Sequence, residues 1–249
     1  MTMRFPLDLA PLLAVAALAV MPAVAQAGPP ELGRCVKKTA AGGVGYKDAG
    51  CEKGSVTGKA ARYEWLPGPG PLNKFTSTEG SSEFQTTATF DLKCTSDVDQ
   101  GEYTGPKTDT ETITFSGCSS RGPCQNGVSG EIKTKPLTSV IGFIKAPNEV
   151  GVSLEGPGGI FAEFECSGFK AAISGSVIAP ITPISKMTLK FKEKFKGPIS
   201  QKPENFESEP NDTLLCPEPK DFGAPIEQCG FTSTDTVTNE ERLEINEII

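Results

Sequence analysis

The sequence predicts an all-β fold, an antiparallel β-sandwich or barrel of about ten to twelve strands held by disulfides. Turn-forming residues are frequent, with 27 glycines and 21 prolines. Between them lie short runs rich in Thr, Val, Ile and Phe, in which apolar and polar residues alternate. A period of two places successive side chains on opposite faces of a strand. No helical period of about ten residues or more follows the first 27 residues.

Each predicted strand is one alternating run. In chain order, the side chains expected to face inward are Ala88, Phe90, Leu92 and Cys94; Ile113 and Phe115; Val150, Val152 and Leu154; Ile160, Ala162, Phe164 and Cys166; Ile173, Gly175 and Val177; Leu189, Phe191 and Phe195; and Leu243 and Ile245. The glycine-rich stretch at 156–159 predicts a turn between two of these strands.

The N-terminus has the pattern of a secretion signal. Arg4 precedes an apolar run over residues 10–24, and Ala25-Gln26-Ala27 has the small-x-small pattern of a signal peptidase site. The apolar run is about 15 residues long, short of the ~20 that a transmembrane helix needs. We therefore expect a protein that is secreted or attached to the cell envelope, without membrane insertion, and a mature chain that begins at Gly28.

The chain divides into three predicted parts. Residues 1–27 are the signal peptide, 28–71 form a small disulfide-stapled N-terminal extension, and 72–249 form the β domain. The extension ends at the stiff, turn-rich stretch Gly68-Pro69-Gly70-Pro71. Within the β domain, the proline-rich acidic segment 197–228 predicts a long surface loop.

Eight cysteines in an exported chain predict four structural disulfides. No CxxC motif is present, so neither a zinc cluster nor a thiol redox site is expected. Sequence proximity and strand positions favour the pairs Cys35–Cys51, Cys118–Cys124, Cys216–Cys229 and Cys94–Cys166. A competing set joins Cys94 to Cys118 and Cys124 to Cys166, and the sequence leaves the pairing of these four open.

The chain contains no histidine. Its absence excludes Ser-His-Asp and Cys-His catalysis, and also zinc and copper sites with histidine ligands. Any catalysis must use carboxylates, lysine, tyrosine or an oxygen-ligated metal. We expect no catalytic residues, no metal and no cofactor. The net charge of −7 also argues against nucleic acid as a partner.

Two acidic groups are candidates for chemistry. Glu163 and Glu165 lie two apart on one predicted strand, about 6.6 Å from each other and so within the separations that glycosidases use. However, glycosidase carboxylates come from different strands that flank a cleft, and a solvated strand face is expected instead. The stretch Asp97–Glu102 alternates oxygen ligands like a calcium loop but lacks the EF-hand pattern, so we predict a plain acidic turn.

Two polar rows and one aromatic pair are candidates for binding. Lys190, Lys192, Lys194 and Lys196 form a one-sided basic row that suits an acidic glycan, although lysines on a strand more often protect a free sheet edge. Alternate threonines at 108–114 and 232–238 are typical of adhesive surfaces, but without a repeating coil they predict solvated faces. Tyr63 and Trp65 suit stacking on a sugar, and a buried tryptophan that anchors the extension is the more frequent arrangement.

Several short motifs occur together in one order. They are Leu32-Gly33-Arg34-Cys35, Tyr46-Lys47-Asp48-Ala49-Gly50-Cys51, Tyr63-Glu64-Trp65-Leu66-Pro67-Gly68, Gly101-Glu102-Tyr103-Thr104-Gly105 and Asn239-Glu240-Glu241-Arg242-Leu243-Glu244-Ile245-Asn246. The set resembles a family of uncharacterised secreted proteins of soil actinobacteria. The resemblance spans most of the mature chain and implies secretion and a shared fold, and no catalytic residue carries over.

The sequence therefore favours a non-catalytic binding or structural protein whose target is an extracellular polymer, such as a cell-wall polysaccharide, or a cell surface. One alternative is a secreted glycoside hydrolase that uses Glu163, Glu165 or Glu102. Another is a module that binds a protein partner through a loop made rigid by disulfides, at 118–124 or 216–229.

Overall fold

The structure is a computed structural model that describes residues 30–52, 54–87, 90–197, 204–208, 211–218 and 221–246. Within these ranges every element is a β-strand apart from one 3-10 turn at Gly58–Ala60, which confirms the all-β prediction. The strands are β1 (Glu31–Lys37), β2 (Val44–Gly45), β3 (Val56–Thr57), β4 (Tyr63–Pro67), β5 (Lys74–Glu79), β6 (Ser82–Thr86), β7 (Asp91–Cys94), β8 (Ser96–Tyr103), β9 (Thr108–Ser116), β10 (Cys124–Gln125), β11 (Glu131–Lys133), β12 (Leu137–Lys145), β13 (Glu149–Cys166), β14 (Phe169–Thr182), β15 (Thr188–Lys196), β16 (Leu215–Glu218) and β17 (Asp221–Asn246).

Strand pairings run around the molecule and make the sheet barrel-like. In spatial order the strands are β13, β12, β9, β8, β5, β17, β15 and β14, and β14 pairs with β13 again. All of these pairings are antiparallel. The shortest is between β14 and β15, where Ile181 lies opposite Glu193 and Thr182 opposite Lys192. The inward faces of these strands therefore look onto a common interior.

The last strand, β17, pairs with five other strands. β17 is 26 residues long and pairs in succession with β16, β6, β15, β5 and β1. At its end, Leu32 of β1 lies opposite Ile245. β4 in turn pairs with β1. The N-terminal extension is thus added to the main sheet as two antiparallel strands.

The predicted turn at 156–159 is wrong, because β13 continues through it for 18 residues. The glycines form an irregularity in which the register against β14 shifts between Glu155 and Ile160. A Cβ on Gly156 would lie 1.7 Å from the Ile160 carbonyl oxygen, so only glycine fits there. The register shift also buries Phe161, which the alternating pattern had placed outside.

Two other strand predictions need correction. Leu189 was predicted to face inward but is 43% exposed, because the pairing of β15 with β17 is irregular between Thr188 and Lys190. The segment 197–228 is only partly a loop: 204–208 is irregular and mostly exposed, whereas the segment also forms β16 and the start of β17. Phe206 is buried against Gly142, and Leu214 is buried next to β16.

Some predictions fall outside the described residues. They concern the signal peptide at 1–27, Ala88 of the first predicted row, and the parts of the acidic segment at 198–203, 209–210 and 219–220.

Two apolar clusters fill the interior. The larger gathers phenylalanines from several strands, with Phe84 stacked on Phe231 at a ring-centroid distance of 4.4 Å. The smaller includes Leu32, Phe75 and Phe191. Polar side chains, among them several carboxyl groups, also face inward beside these two clusters.

All eight cysteines form disulfides, in the pairs Cys35–Cys51, Cys94–Cys118, Cys124–Cys166 and Cys216–Cys229. The first and last pairs agree with the sequence prediction. The favoured pairs Cys118–Cys124 and Cys94–Cys166 are wrong, and the competing set is the one that forms. Strand register explains the difference, because Cys124 of β10 lies directly opposite Cys166 of β13. A bridge between Lys93 and Ser119 similarly brings Cys94 next to Cys118.

Candidate functional site: a lysine–threonine face backed by buried carboxyl groups

The lysine row lies on β15, with all four side chains exposed. Phe191 and Phe195, which alternate with the lysines, are buried as predicted. β15 pairs with β17 along the whole row, but on its other side it pairs with β14 only at Lys192 and Glu193. Among the described residues this edge is therefore open at the other three lysines, and protection of the edge stays a prediction for them.

Threonines continue the same outer surface across the neighbouring strands. Lys190, Lys192, Lys194 and Lys196 lie opposite Thr238, Thr236, Thr234 and Thr232 of β17. Thr236 and Thr238 in turn lie opposite Thr78 and Thr76 of β5. Beyond β5, the outward residues Val98 and Gln100 of β8 lie opposite Thr114 and Thr112 of β9. We call this surface, formed by the outward side chains of β15, β17, β5, β8 and β9, the lysine–threonine face.

A shallow depression marks this face where three of its strands meet. It has a volume of about 350 Å³ and is open to solvent. Its rim carries Lys74 and Thr76 of β5, Gln100 of β8, and Thr238 and Glu240 of β17. Lysine, amide, hydroxyl and carboxylate groups thus converge on one concave spot, which is the arrangement that polar ligands require.

The charge of the lysine row is not compensated on the surface. Among the described residues, ion pairs are formed by Lys93, with Glu83 and Asp91, and by Lys135, with Glu163. The four lysines of β15 face threonines instead of acids. One side of the face therefore presents a positive row in an otherwise acidic protein.

The inward side of the same strands carries carboxyl groups. They are Glu79 on β5, Asp97 and Asp99 on β8, Asp109 and Glu111 on β9, Glu193 on β15 and Asp235 on β17. In the described part of the chain the buried charged residues are all acids, and no lysine or arginine is buried with them. Unpaired buried charge is costly, so these groups must hold protons or bind a cation.

Three of these carboxyl groups converge at one point. One oxygen each from Glu79, Asp97 and Asp235 lies within 4.8 Å of the other two. The Ser233 hydroxyl bridges two of them, since it is 3.1 Å from the Asp235 carboxylate and also donates to Glu79. The backbone N–H of Thr234 donates to the other oxygen of Glu79.

Burial and mutual repulsion raise the pKa values of Asp97, Asp99 and Asp235. Burial, together with the nearby Glu79 carboxylate, raises the pKa of Asp97 to about 7. The pKa of Asp99 rises to about 8 from burial and from the charges of Asp97 and Glu79. Burial and the adjacent Glu79 carboxyl raise the pKa of Asp235 further still. Near neutral pH these groups therefore share protons.

Asp109, Glu111 and Glu193 form a second carboxyl group farther along the interior. They line an enclosed cavity of about 10 Å³, room for about one water molecule. Burial is the main cause of the raised pKa of each of them. Tyr103 lines the same cavity, and its hydroxyl donates a 2.8 Å hydrogen bond to Asn239 Oδ1.

The prediction of an acidic turn at Asp97–Glu102 is wrong, because these residues belong to β8. The usual alternation is inverted there: Asp97 is 3% exposed, whereas Val98 is 44% exposed. The acids at 97 and 99, and at 109 and 111, occur at every second residue, as inward side chains do. Asp109 and Glu111 also lie on the same alternate positions of the strand as Ile113 and Phe115. This periodicity could have identified the two acids as inward-facing.

The carboxylates proposed for a hydrolase do not form a facing pair. Glu163 and Glu165 line an open groove of about 530 Å³, and both come from β13. Glu163 is 3.0 Å from Lys135, and Gln125 donates to Glu165 at 3.4 Å. The groove carries no other acid among the described residues that line it, and Glu102 lies on β8. The geometry required for glycoside hydrolysis across a cleft is absent from this lining.

Tyr63 and Trp65 lie on β4 and are part-buried. The indole of Trp65 crosses Gly33 of β1 so closely that a Cβ on Gly33 would lie 2.0 Å from Cζ2. β1 pairs with residues 244–246 of β17, whereas the lysine row lies opposite 232–238. The structure therefore does not bring these aromatic residues together with the lysine row.

Comparison with known proteins gives no match among protein families, curated proteins or solved structures. In the part of the chain that the structure describes, no helix has the length and apolar character needed to cross a membrane.

Proposed function

We propose that this chain is an extracellular, non-catalytic binding protein whose lysine–threonine face binds an acidic polymer such as a wall polysaccharide. The observation that carries this proposal is the lysine row of β15, which forms no ion pair with the described residues and lies directly beside the threonines of β17. Four disulfides suit a protein that works outside the cytoplasm.

The spacing of the row fits a polyanion. Alternate residues of a strand lie about 6.6 Å apart, so the lysines form a regular line of positive charge along β15. Lysine ammonium groups attract anionic groups over about 8–10 Å at physiological salt, and this attraction weakens as salt is added. Threonine hydroxyls next to the row donate and accept hydrogen bonds, as sugar hydroxyls do.

The frame behind the face is rigid enough to keep these groups in place. Phe191 and Phe195 fix β15 from the inside, and Val237 does the same for β17. A preformed surface loses little conformational entropy when it binds, which favours affinity without a deep pocket.

Affinity electrophoresis in gels that contain an acidic polysaccharide tests the proposal. The double substitution Lys192→Glu with Lys194→Glu should abolish the retardation of the protein, because it reverses the charge at the centre of the row. The matched control, Lys59→Glu with Lys145→Glu, makes the same change in net charge at exposed sites outside the face and should leave retardation nearly unchanged.

Gels that contain a neutral polysaccharide complete the test, and there we expect weak retardation of all variants. Equal loss of retardation in the two double variants would show that only net charge matters and would overturn the proposal. The proposal would also be overturned if the wild type were retarded as strongly in the neutral gel as in the acidic gel and if Lys192→Glu with Lys194→Glu did not reduce this retardation.

A further inference from the structure

We infer that Glu79, Asp97 and Asp235 form a binding site for a divalent cation such as Ca²⁺, on the inner side of the strands that carry the lysine–threonine face. This site is independent of the polymer-binding proposal, because it uses inward side chains that the outer surface does not present. Each ligand comes from a different strand, β5, β8 and β17 in turn.

The spacing of the carboxylates fits such an ion. Calcium binds oxygen ligands at about 2.3–2.6 Å, so oxygens on opposite sides of the ion are about 4.6–5.2 Å apart. One oxygen from each of the three residues lies within 4.8 Å of the other two, which is close enough for a single ion to contact all three.

The ligand atoms at this point include buried oxygens that accept no hydrogen bond of normal geometry from the described residues. Asp97 is 3% exposed, and neither of its carboxylate oxygens accepts a hydrogen bond of normal geometry from the described residues. Against the larger rise from burial, the Ser82 hydroxyl beside Asp97 lowers the pKa of its carboxyl group. However, the contact between them does not have the geometry of a normal hydrogen bond. Buried carboxylate oxygens are normally satisfied, so two unsatisfied ones require an explanation.

A second side chain next to the carboxylates also lacks a hydrogen bond from the described residues. Ser77 is 1% exposed, faces inward two residues before Glu79, and has a hydroxyl oxygen with no hydrogen bond. It lies directly opposite Asp99, whose Oδ1 is likewise buried and unpaired. Hydroxyl and carboxylate oxygens are the ligands that calcium prefers, and both side chains face the same interior as the three carboxylates.

The electrostatics point to a cation. The described residues place no lysine or arginine in the interior beside these acids. A divalent cation would neutralise most of the charge of the three carboxylates. It would also join β5, β8 and β17 from the inside.

Calorimetric titration of the intact, chelator-treated protein with CaCl₂ at about pH 8 tests this inference. We expect saturable binding of one ion per chain, with Kd on the order of 10⁻⁴–10⁻³ M, as in extracellular calcium modules. At a calcium concentration about 100-fold above Kd, the melting temperature should rise by roughly 5–10 °C. Near pH 5 the rise should be much smaller, because protons then occupy the carboxylates.

Variants separate this site from general effects of salt. Asp97→Asn should lose the heat of binding and the calcium-dependent rise in melting temperature while remaining folded in chelator. Asp109→Asn, which changes a buried carboxyl of the second group, should keep both responses. Lys192→Glu with Lys194→Glu should lose polymer binding and keep the calcium response, so the two proposals can fail separately. Absence of binding by the wild type, or an equal response in Asp97→Asn, would overturn the inference.

Discussion

At the scale of single residues, the interior departs from the rule that alternation places apolar side chains inside. Asp97 and Asp99 are buried on β8, while Val98 between them faces solvent. Phe191 and Phe195 could be predicted because they follow the rule. The acids could not, because a sequence read by hydrophobicity assigns charged residues to the surface. For the acids of β9 alone, the sequence indicates the face, because residues 109 and 111 alternate in step with the apolar residues 113 and 115.

Replacement of Asp97 by asparagine should stabilise the chelator-treated protein at high pH. The folded pKa of Asp97 is raised to about 7, above that of the unfolded chain, so the folded state holds the extra proton. Its stabilising effect is complete below about pH 4 and is lost as the pH rises through 7. An asparagine side chain carries no charge at any of these pH values. Asp97→Asn should therefore gain ~2–4 kcal/mol relative to wild type between about pH 4 and pH 8.

Urea unfolding with a chelator present, at both ends of this pH range, measures the difference. A difference between Asp97→Asn and wild type that stays constant across the range would contradict the protonation of Asp97.

Gly33 should not tolerate a side chain. The Trp65 indole occupies the space where a Cβ would lie, at 2.0 Å from Cζ2. Gly33→Ala must displace the ring and should cost ~1–3 kcal/mol. Trp65 is the single tryptophan, so its fluorescence reports the displacement directly. Gly80→Ala, where no atom lies within 4 Å of the new Cβ, is the control and should leave the fluorescence unchanged.

At the scale of elements, alternation located several of the strands but not their ends, and it missed β8, which was predicted as an acidic turn. The runs around Val152 and Phe164 were predicted as two strands and are one strand, β13, because a glycine irregularity lets the chain continue. Leu189 is exposed because the register of β15 against β17 also shifts, between Thr188 and Lys190. Irregular registers depend on the partner strand, and the local sequence does not contain that information.

The disulfide between β10 and β13 should stabilise the protein more than the one near the C-terminus. The Cys124–Cys166 bond closes a loop of 42 residues and the Cys216–Cys229 bond a loop of 13. Loop entropy predicts losses of roughly 4 and roughly 3 kcal/mol when each pair is replaced by alanines. Chemical denaturation of the two double variants measures the order. A larger loss for Cys216→Ala with Cys229→Ala would show that packing outweighs loop length.

At the scale of the whole molecule, the two surfaces of one sheet carry different ionisable groups. Lysines lie outside on β15, and carboxyl groups lie inside on the strands beside it. The sequence identified the lysines as candidates but could not show that β15 lies between two partners. It could not bring together Glu79, Asp97 and Asp235 either, since these residues are far apart in the chain and meet only through strand order.

The protein as a whole should be more stable in mild acid than at slightly alkaline pH when no divalent cation is present. The folded pKa values of Asp97, Asp99 and Glu193 are raised to about 7, 8 and 8. Stability should therefore fall as the pH rises from about 4 to about 8. Thermal melting in chelator should show a decrease of more than about 5 °C over this range. A melting temperature that rises from about pH 5 to pH 8 in chelator would contradict the buried, protonated carboxyl groups.

The central claim, that the lysine–threonine face is the binding surface, is tested most directly by amine footprinting with mass spectrometry. The intact protein is labelled with an amine-reactive reagent with and without a soluble acidic polysaccharide. Our account predicts that the polymer protects Lys190, Lys192, Lys194 and Lys196, while Lys59 and Lys145 label equally in both samples. Unchanged labelling along β15, with protection elsewhere or nowhere, would contradict it.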